Sequence, residues 1–545
     1  MNIERMKSLL VDFCGIPSIS ETHGETEMAR MIFDKISEIQ YFKDNPANAA
    51  IDPIDNDPLG RSYVHALMEG KGKSPKTVVL LSHYDVVDVV DYGPYKDYAF
   101  KPMEYTELLK QDDSISLTDD ARADLHSGDY LFGRGTMDMK YGLAVDVEIL
   151  YQVEKIIEYF PGNILLLSVP DEENNSVGML AADELLRTLK KERKLEYTCC
   201  IVSEPYFPKY PGDDSKYIYT GAIGKLLPVF FCVGRETHVG DPFSGFNPNL
   251  LTAKLIEHIE LNPELCDFRG SSRVPAPVCL KQSDTKSTYS VQTPTSAYTY
   301  FNYMTLTSSP EEVLEKLRTI ALKAFEEVIG NVESKARQLK ELTGGIPRLP
   351  NSKPMVLTFR ELYEMCLDAR GKDFRLYMDS YMKNAPEADF RHVSLDIVRE
   401  VHKFCPYRDP MIVLFFAPPY YPHSEIVKDN SIIARVVSKI VSTAEKEYNE
   451  RFTVESFFPG LSDMSYLSLP QNIDTASLKA NFPLWGDRYN IPLDTISELD
   501  IPFLNLGPMG KDAHKYTERL NLPYSFGPAA RLIYQTVLWA LENYD

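Results

Sequence analysis

Four short apolar runs, residues 77–82, 163–169, 197–202 and 501–506, are each followed by turn signals, and three of them lead straight into acidic or imidazole side chains. Runs this uniformly apolar have no polar face to turn to water, so they read as strands buried on both sides. Between them lie stretches of helical period, such as 139–158 with Leu143, Val147, Leu150 and Ile157 on one side, and 178–190. Strand, helix, strand in this order predicts a mixed or parallel α/β sheet with helices on both faces. The carboxyl ends of such strands form a crevice where side chains distant in sequence converge.

From about residue 221 the pattern changes to a strand-like run at 225–233, a helix at 248–260, a strand at 298–306, a helix at 310–329 and an apolar run at 411–417. This predicts a smaller α/β domain, residues 221–422, inserted between the two parts of a first domain, 1–220 and 423–545. A polar helical excursion of about 333–409, with breaks at Gly344, Gly345 and Pro347, interrupts the insert. At 545 residues, two domains or more are expected.

Lys and Arg together number 58 against 79 Asp and Glu, a formal charge of -21. A field of that sign repels nucleic acid and anionic membrane surfaces, and neither is an expected partner. The longest apolar runs fall far short of the roughly 20 residues that span a bilayer, and residues 1–20 lack a signal-peptide layout, so a cytoplasmic protein is expected. The 8 cysteines show no paired spacing and read as reduced core residues.

The chemistry lies behind the strands. Residues 77–82 deliver His83 and then Asp85; 163–169 deliver Asp171, Glu172 and Glu173; 197–202 deliver Ser203 and Glu204. Gly133-Arg134-Gly135-Thr136-Met137-Asp138-Met139-Lys140 forms a glycine-shaped turn into a helix, and Gly507-Pro508-Met509-Gly510 follows the last strand ahead of His514 and Glu518. His83, Asp138, Glu173, Glu204 and His514 make a set of two imidazoles and three carboxylates that suits Zn²⁺ or a similar divalent ion. His126, in a loop among Asp124 and Asp129, reads as a solvated residue.

The motifs around His83 and Asp85, Asp138, Glu172 and Glu173, Glu204, Gly460-Leu-Ser-Asp463, and His514 with Glu518 resemble, in order, those of the M20 metallopeptidases. The insertions and the stretch Val413-Leu-Phe-Phe-Ala-Pro-Pro-Tyr-Tyr-Pro422 are most similar to the arginine-utilisation RocB-type branch. The resemblance implies a zinc-exopeptidase sheet of the phosphorylase/hydrolase-like kind carrying an inserted α/β lid. It implies two divalent ions, zinc first with cobalt or manganese as alternatives. Asp138 would bridge them, with His83 and Glu204 completing one site and Glu173 and His514 the other. Asp85 would fix the tautomer of His83. Glu172 would take a proton from the attacking water and pass it to the leaving amine.

In the lid, the resemblance implies that His238 donates to the developing oxyanion, and it marks Asn247 as substrate-binding. The family's arginine for a substrate carboxylate is missing: the strand reads Ala-Tyr-Thr-Tyr-Phe-Asn-Tyr-Met304. The expected activity is hydrolysis of a small peptide or N-acyl amino acid, with a homodimer as the expected assembly. The alternative is a catalytically silent, metal-dependent binding protein of arginine or amino-acid metabolism.

Overall fold

Every residue of Asn163–Val169 is buried, as is every residue but the first of Lys76–His83 and Glu196–Val202. In the computed structural model these three strands lie side by side and parallel, so their carboxyl ends open on one edge. The structure describes residues 1–542 apart from 207–209, 211, 214, 271, 346, 351, 385–388, 426–431, 471–474 and 487.

The chain forms two compact units, Met1–Ala222 with Ser424–Leu469 and Pro492–Asp545, and Ile223–His423 with Pro470–Ile491. In the first, the described residues build an eight-stranded sheet in the order Ala49–Pro53, Ser62–Glu69, Asn163–Val169, Lys76–His83, Glu196–Val202, Phe503–Asn505, Lys216–Tyr219, Phe452–Glu455. The four central strands are mutually parallel, and those pairing at the Ala49 edge are antiparallel. Helices Ile3–Cys14, Lys140–Lys155, Ile432–Tyr448 and Ala530–Leu541 contribute their apolar sides to one core with the strands. Leu143, Val147 and Leu150 are fully buried there, as the helical period requires.

In the second unit the main sheet runs Val278–Asp284, Ser296–Thr305, Pro228–Val233, Met411–Phe416, Val356–Thr358, with Gly224–Leu226 also paired to Ser296–Thr305. Helices Asn249–Ile259 and Pro310–Thr343 pack beside it. The second of these begins at a capping box, Ser309 with Glu312, and runs unbroken to Gly344, well past the sequence expectation of residue 329. The excursion behind it is not wholly helical either. Val356–Thr358 joins the sheet parallel to Met411–Phe416, and only then come helices Phe359–Arg370, Lys372–Lys383 and Phe390–Lys403.

One boundary differs from the sequence reading, which put all of 423–545 in the first domain. Pro470–Ile491 groups with the second unit. Asn481 O accepts the Phe416 N–H at 2.9 Å, Asn481 Oδ1 accepts that of Arg360 at 3.1 Å, and the Tyr489 hydroxyl accepts that of Tyr420 at 2.9 Å. Turn composition hid these tertiary bonds. Among the described residues, no helix is long and apolar enough to cross a membrane.

Candidate metal centre

Asp138 sits at the hub of the strand ends. It follows a turn in which Gly135 takes φ +76°, and it precedes helix Lys140–Lys155. Its two carboxylate oxygens meet different imidazoles, Oδ1 lying 3.2 Å from His83 Nε2 and Oδ2 3.2 Å from His514 Nε2. Glu204 Oε1 stands 3.5 Å from His83 Nε2, and Glu173 Oε1 stands 3.0 Å from His514 Nε2. The five residues picked out as ligands in the sequence are therefore brought together within the first unit.

Glu172 is drawn in as well, with Oε2 3.9 Å from His83 Nε2. Potential ligand atoms of His83, Glu172 and Glu204 fall within 4.8 Å of one another, as do those of His83, Asp138 and Glu173. Asp85 lies beside the far nitrogen of the His83 ring. His83 Nδ1 is 3.1 Å from the Asp85 carbonyl oxygen and 3.5 Å from its carboxylate. That carboxylate also accepts the backbone N–H groups of Glu172 at 3.0 Å and Glu173 at 3.2 Å, and the Ser20 hydroxyl at 2.7 Å.

The charges are in tension. Burial drives Glu172 well above the carboxylate range; His83 pulls it back, while Glu204 and Glu173 add to the rise. Burial also lifts Glu204 to about 7 and raises Glu173, with Asp138 adding to both. Burial works against charge on the imidazoles too, yet the surrounding carboxylates hold His83 well above its usual range and His514 at about 11. Three buried carboxylates and a half-buried fourth around two imidazoles favour a bound cation, and the mixed nitrogen and oxygen donors fit a divalent metal.

Buried ion pairs fix these loops, and sequence reading missed most of them. Arg134 NH1 meets Glu518 Oε2 at 2.8 Å, tying the Asp138 turn to the segment that carries His514. Arg61 NH1 meets Asp171 Oδ1 at 2.7 Å, steadying the residue before Glu172. Arg519, fully buried, pairs with Asp124 at 2.7 Å, Asp120 at 2.6 Å and Asp512 at 2.5 Å, so the acidic stretch 104–129 is clamped to the His514 hairpin. Arg134 and Glu518 stood inside recognised motifs; Arg61 and Arg519 gave no sequence signal. Gly507 admits no side chain, because a Cβ there would lie 1.8 Å from Glu204 O.

His238 and Asn247 belong to the second unit. His238 is exposed and its Nδ1 accepts the Gly240 N–H at 3.0 Å, while Asn247 Oδ1 accepts the Asn249 N–H at 3.0 Å at the start of a helix. His126 is exposed, its Nδ1 set against Arg122 O at 2.7 Å. All 8 cysteines are free thiols.

Comparison with known proteins adds an independent line. The sequence profile of peptidase family M20/M25/M40 matches residues 113–477. The uncharacterised protein YqjN of Bacillus subtilis is 38% identical over 543 residues, covering 99% of this chain and 97% of its own. Protein RocB of the same species is 34% identical over 548 residues, covering 99% and 96%. Among solved structures, a tripeptidase from Staphylococcus aureus superposes with a TM-score of 0.53 at 14% identity, covering 100% of both chains, a likeness that bears on the fold alone.

Proposed function

The chain belongs to peptidase family M20/M25/M40, a family of hydrolases, and from that premise we propose that it cleaves an amide or peptide bond in a small peptide or N-acyl amino acid. The observation that carries this reading is the placing of two imidazoles on opposite oxygens of one buried carboxylate, Asp138, at 3.2 Å each. His83, Asp138 and Glu204 would hold one divalent ion, and Asp138, Glu173 and His514 a second. Zn²⁺ is the first candidate, with Co²⁺ or Mn²⁺ as alternatives. Ions bound there supply an acidified water and a polarised carbonyl.

The remaining work falls to side chains. Glu172 is oriented through its own N–H by Asp85, and its carboxyl, raised by burial, takes the proton of the attacking water and returns it to the leaving amine. His238 would donate to the developing oxyanion, and Asn247 would contact substrate. The 34% identity to RocB supports the branch suggested by the sequence, tied to arginine utilisation.

The test is release of free amine from a panel of dipeptides and N-acyl amino acids, with and without a chelator. Metal-dependent release supports the reading. A metal-loaded protein that binds members of the panel and turns over none would replace it with the silent binding protein.

A further inference from the structure

One face of the strand Ser296–Thr305 carries polar groups that the fold itself leaves unmatched. Phe301, Tyr303 and Thr305 are buried, whereas Tyr300, Asn302 and Met304, on the alternate side, are half-buried. Lys225 is the direct antiparallel partner of Met304, so its side chain rises on that same face, diagonal to Asn302. Its backbone is held from the other side, with the Lys225 N–H donating to Tyr421 O at 2.8 Å and the Tyr421 N–H to Lys225 O at 3.0 Å.

The Lys225 side chain is half-buried, and its ammonium makes no hydrogen bond or ion pair with any described residue. The charged group acting on it is another cation, Arg391, and the Arg391 guanidinium is already engaged by Asp389 at 2.5 Å. Burial, with Arg391 second, pulls the Lys225 pKa down to about 8. Nearby in the same face, Asn302 Oδ1 is buried with no hydrogen-bond partner. A desolvated cation lacking a counter-charge and a buried acceptor lacking a donor each cost free energy, and a ligand bringing both recovers it.

We propose that Lys225 and Asn302 form a binding site for a carboxylate that carries a neighbouring N–H donor. The ammonium takes the carboxylate in a charge-assisted bond, and Asn302 Oδ1 accepts the N–H. A single uncommitted ammonium balances a single negative charge; a phosphate dianion would call for a second free cation, and Arg391 is committed to Asp389. The strand itself supplies no arginine, having Met304 where one was sought, and the cation comes from the neighbouring strand instead. This ligand class matches the substrates proposed above, but the site stands on its own geometry and its test reads binding, not turnover.

The full-length, metal-loaded protein is titrated calorimetrically with N-acetylglycine and with N-acetylglycinamide, which lacks the charge. The acid should bind about tenfold tighter or better, the effect of one charge-assisted bond. Lys225→Met should erase that preference with metal content unchanged and the melting temperature no lower, since it removes a desolvated charge, and Lys225→Arg should keep it. Should Lys225→Met not fold, Lys225→Gln takes its place. Equal binding of acid and amide by the unaltered protein, or an undiminished preference in the neutral variant, overturns the site. Competition separates the sources of charge: acetate should displace N-acetylglycine more effectively than inorganic phosphate, and the reverse order would overturn the carboxylate assignment.

Discussion

The carboxylate of Asp85 accepts the backbone N–H of Glu172 at 3.0 Å. Its other oxygen takes the next N–H, that of Glu173, at 3.2 Å. One buried side chain thus sets the path of two consecutive glutamates, and successive side chains on a fixed backbone point apart. Adjacent acids of equal chemistry can thereby serve different tasks.

For that pair, Glu172→Gln should leave two ions bound and lower hydrolysis by about 10² to 10⁴, the usual contribution of a general base. Glu173→Gln should lose one ion. Metal analysis alongside rate measurement decides it, and an active Glu172→Gln protein with full metal occupancy would remove the proton-transfer role.

Asp138→Ala should lose both ions, since its two oxygens serve both imidazoles. Glu204→Ala should weaken one ion preferentially, because its contact is with His83 alone among the two histidines. Identical metal loss in the two variants would count against a bridging Asp138.

His238→Ala should reduce turnover far more than metal content, because its proposed partner is the oxyanion. Parallel loss of metal and rate would reassign it to structure.

Arg519→Met should destabilise the first unit by about 3 kcal/mol, since it leaves Asp124 and Asp512 without their buried partner. It should also loosen the ion nearest His514 before the one at Glu204. A melting curve and stepwise metal titration test both parts; an unchanged melting temperature would show the clamp to be dispensable.

Burial alone would raise the Asp267 carboxyl, but the N–H groups of Thr307, Ser308 and Leu306 outweigh it and hold it at about 2. A carboxyl depressed in the folded state adds stability above its unfolded pKa, near 4, and that stability is lost as pH falls through the folded value. The stability gap between the unaltered protein and Asp267→Asn should therefore be largest above about pH 4 and close near pH 2. Urea midpoints across that range measure it, and a gap independent of pH would contradict the assignment.

The strands behind the centre were legible because burial on both faces leaves only apolar residues, and the proposed ligands His83, Glu173 and Glu204 because they end or follow those strands, whereas Asp138 and His514 follow glycine turns. What escaped was set by tertiary contact. The helix Pro310–Thr343 runs past residue 329 because its polar second half, assigned to a separate excursion from the sequence, continues the same helix to the Gly344 terminator. Val356–Thr358 is three residues long and takes its identity from Met411–Phe416 beside it. Arg519 sits among ordinary polar residues, and only folding brings Asp120 and Asp124 to it.

The close approach of Gly507 to Glu204 O has a consequence in time. Asn505, on the same segment, donates to that carbonyl oxygen from 301 residues further along the chain. On the ribosome, the loop bearing Glu204 emerges long before the segment that will seat it, and His514 later still. Until that later segment has been made, the nascent chain carries an acidic, half-built crevice that cannot yet close.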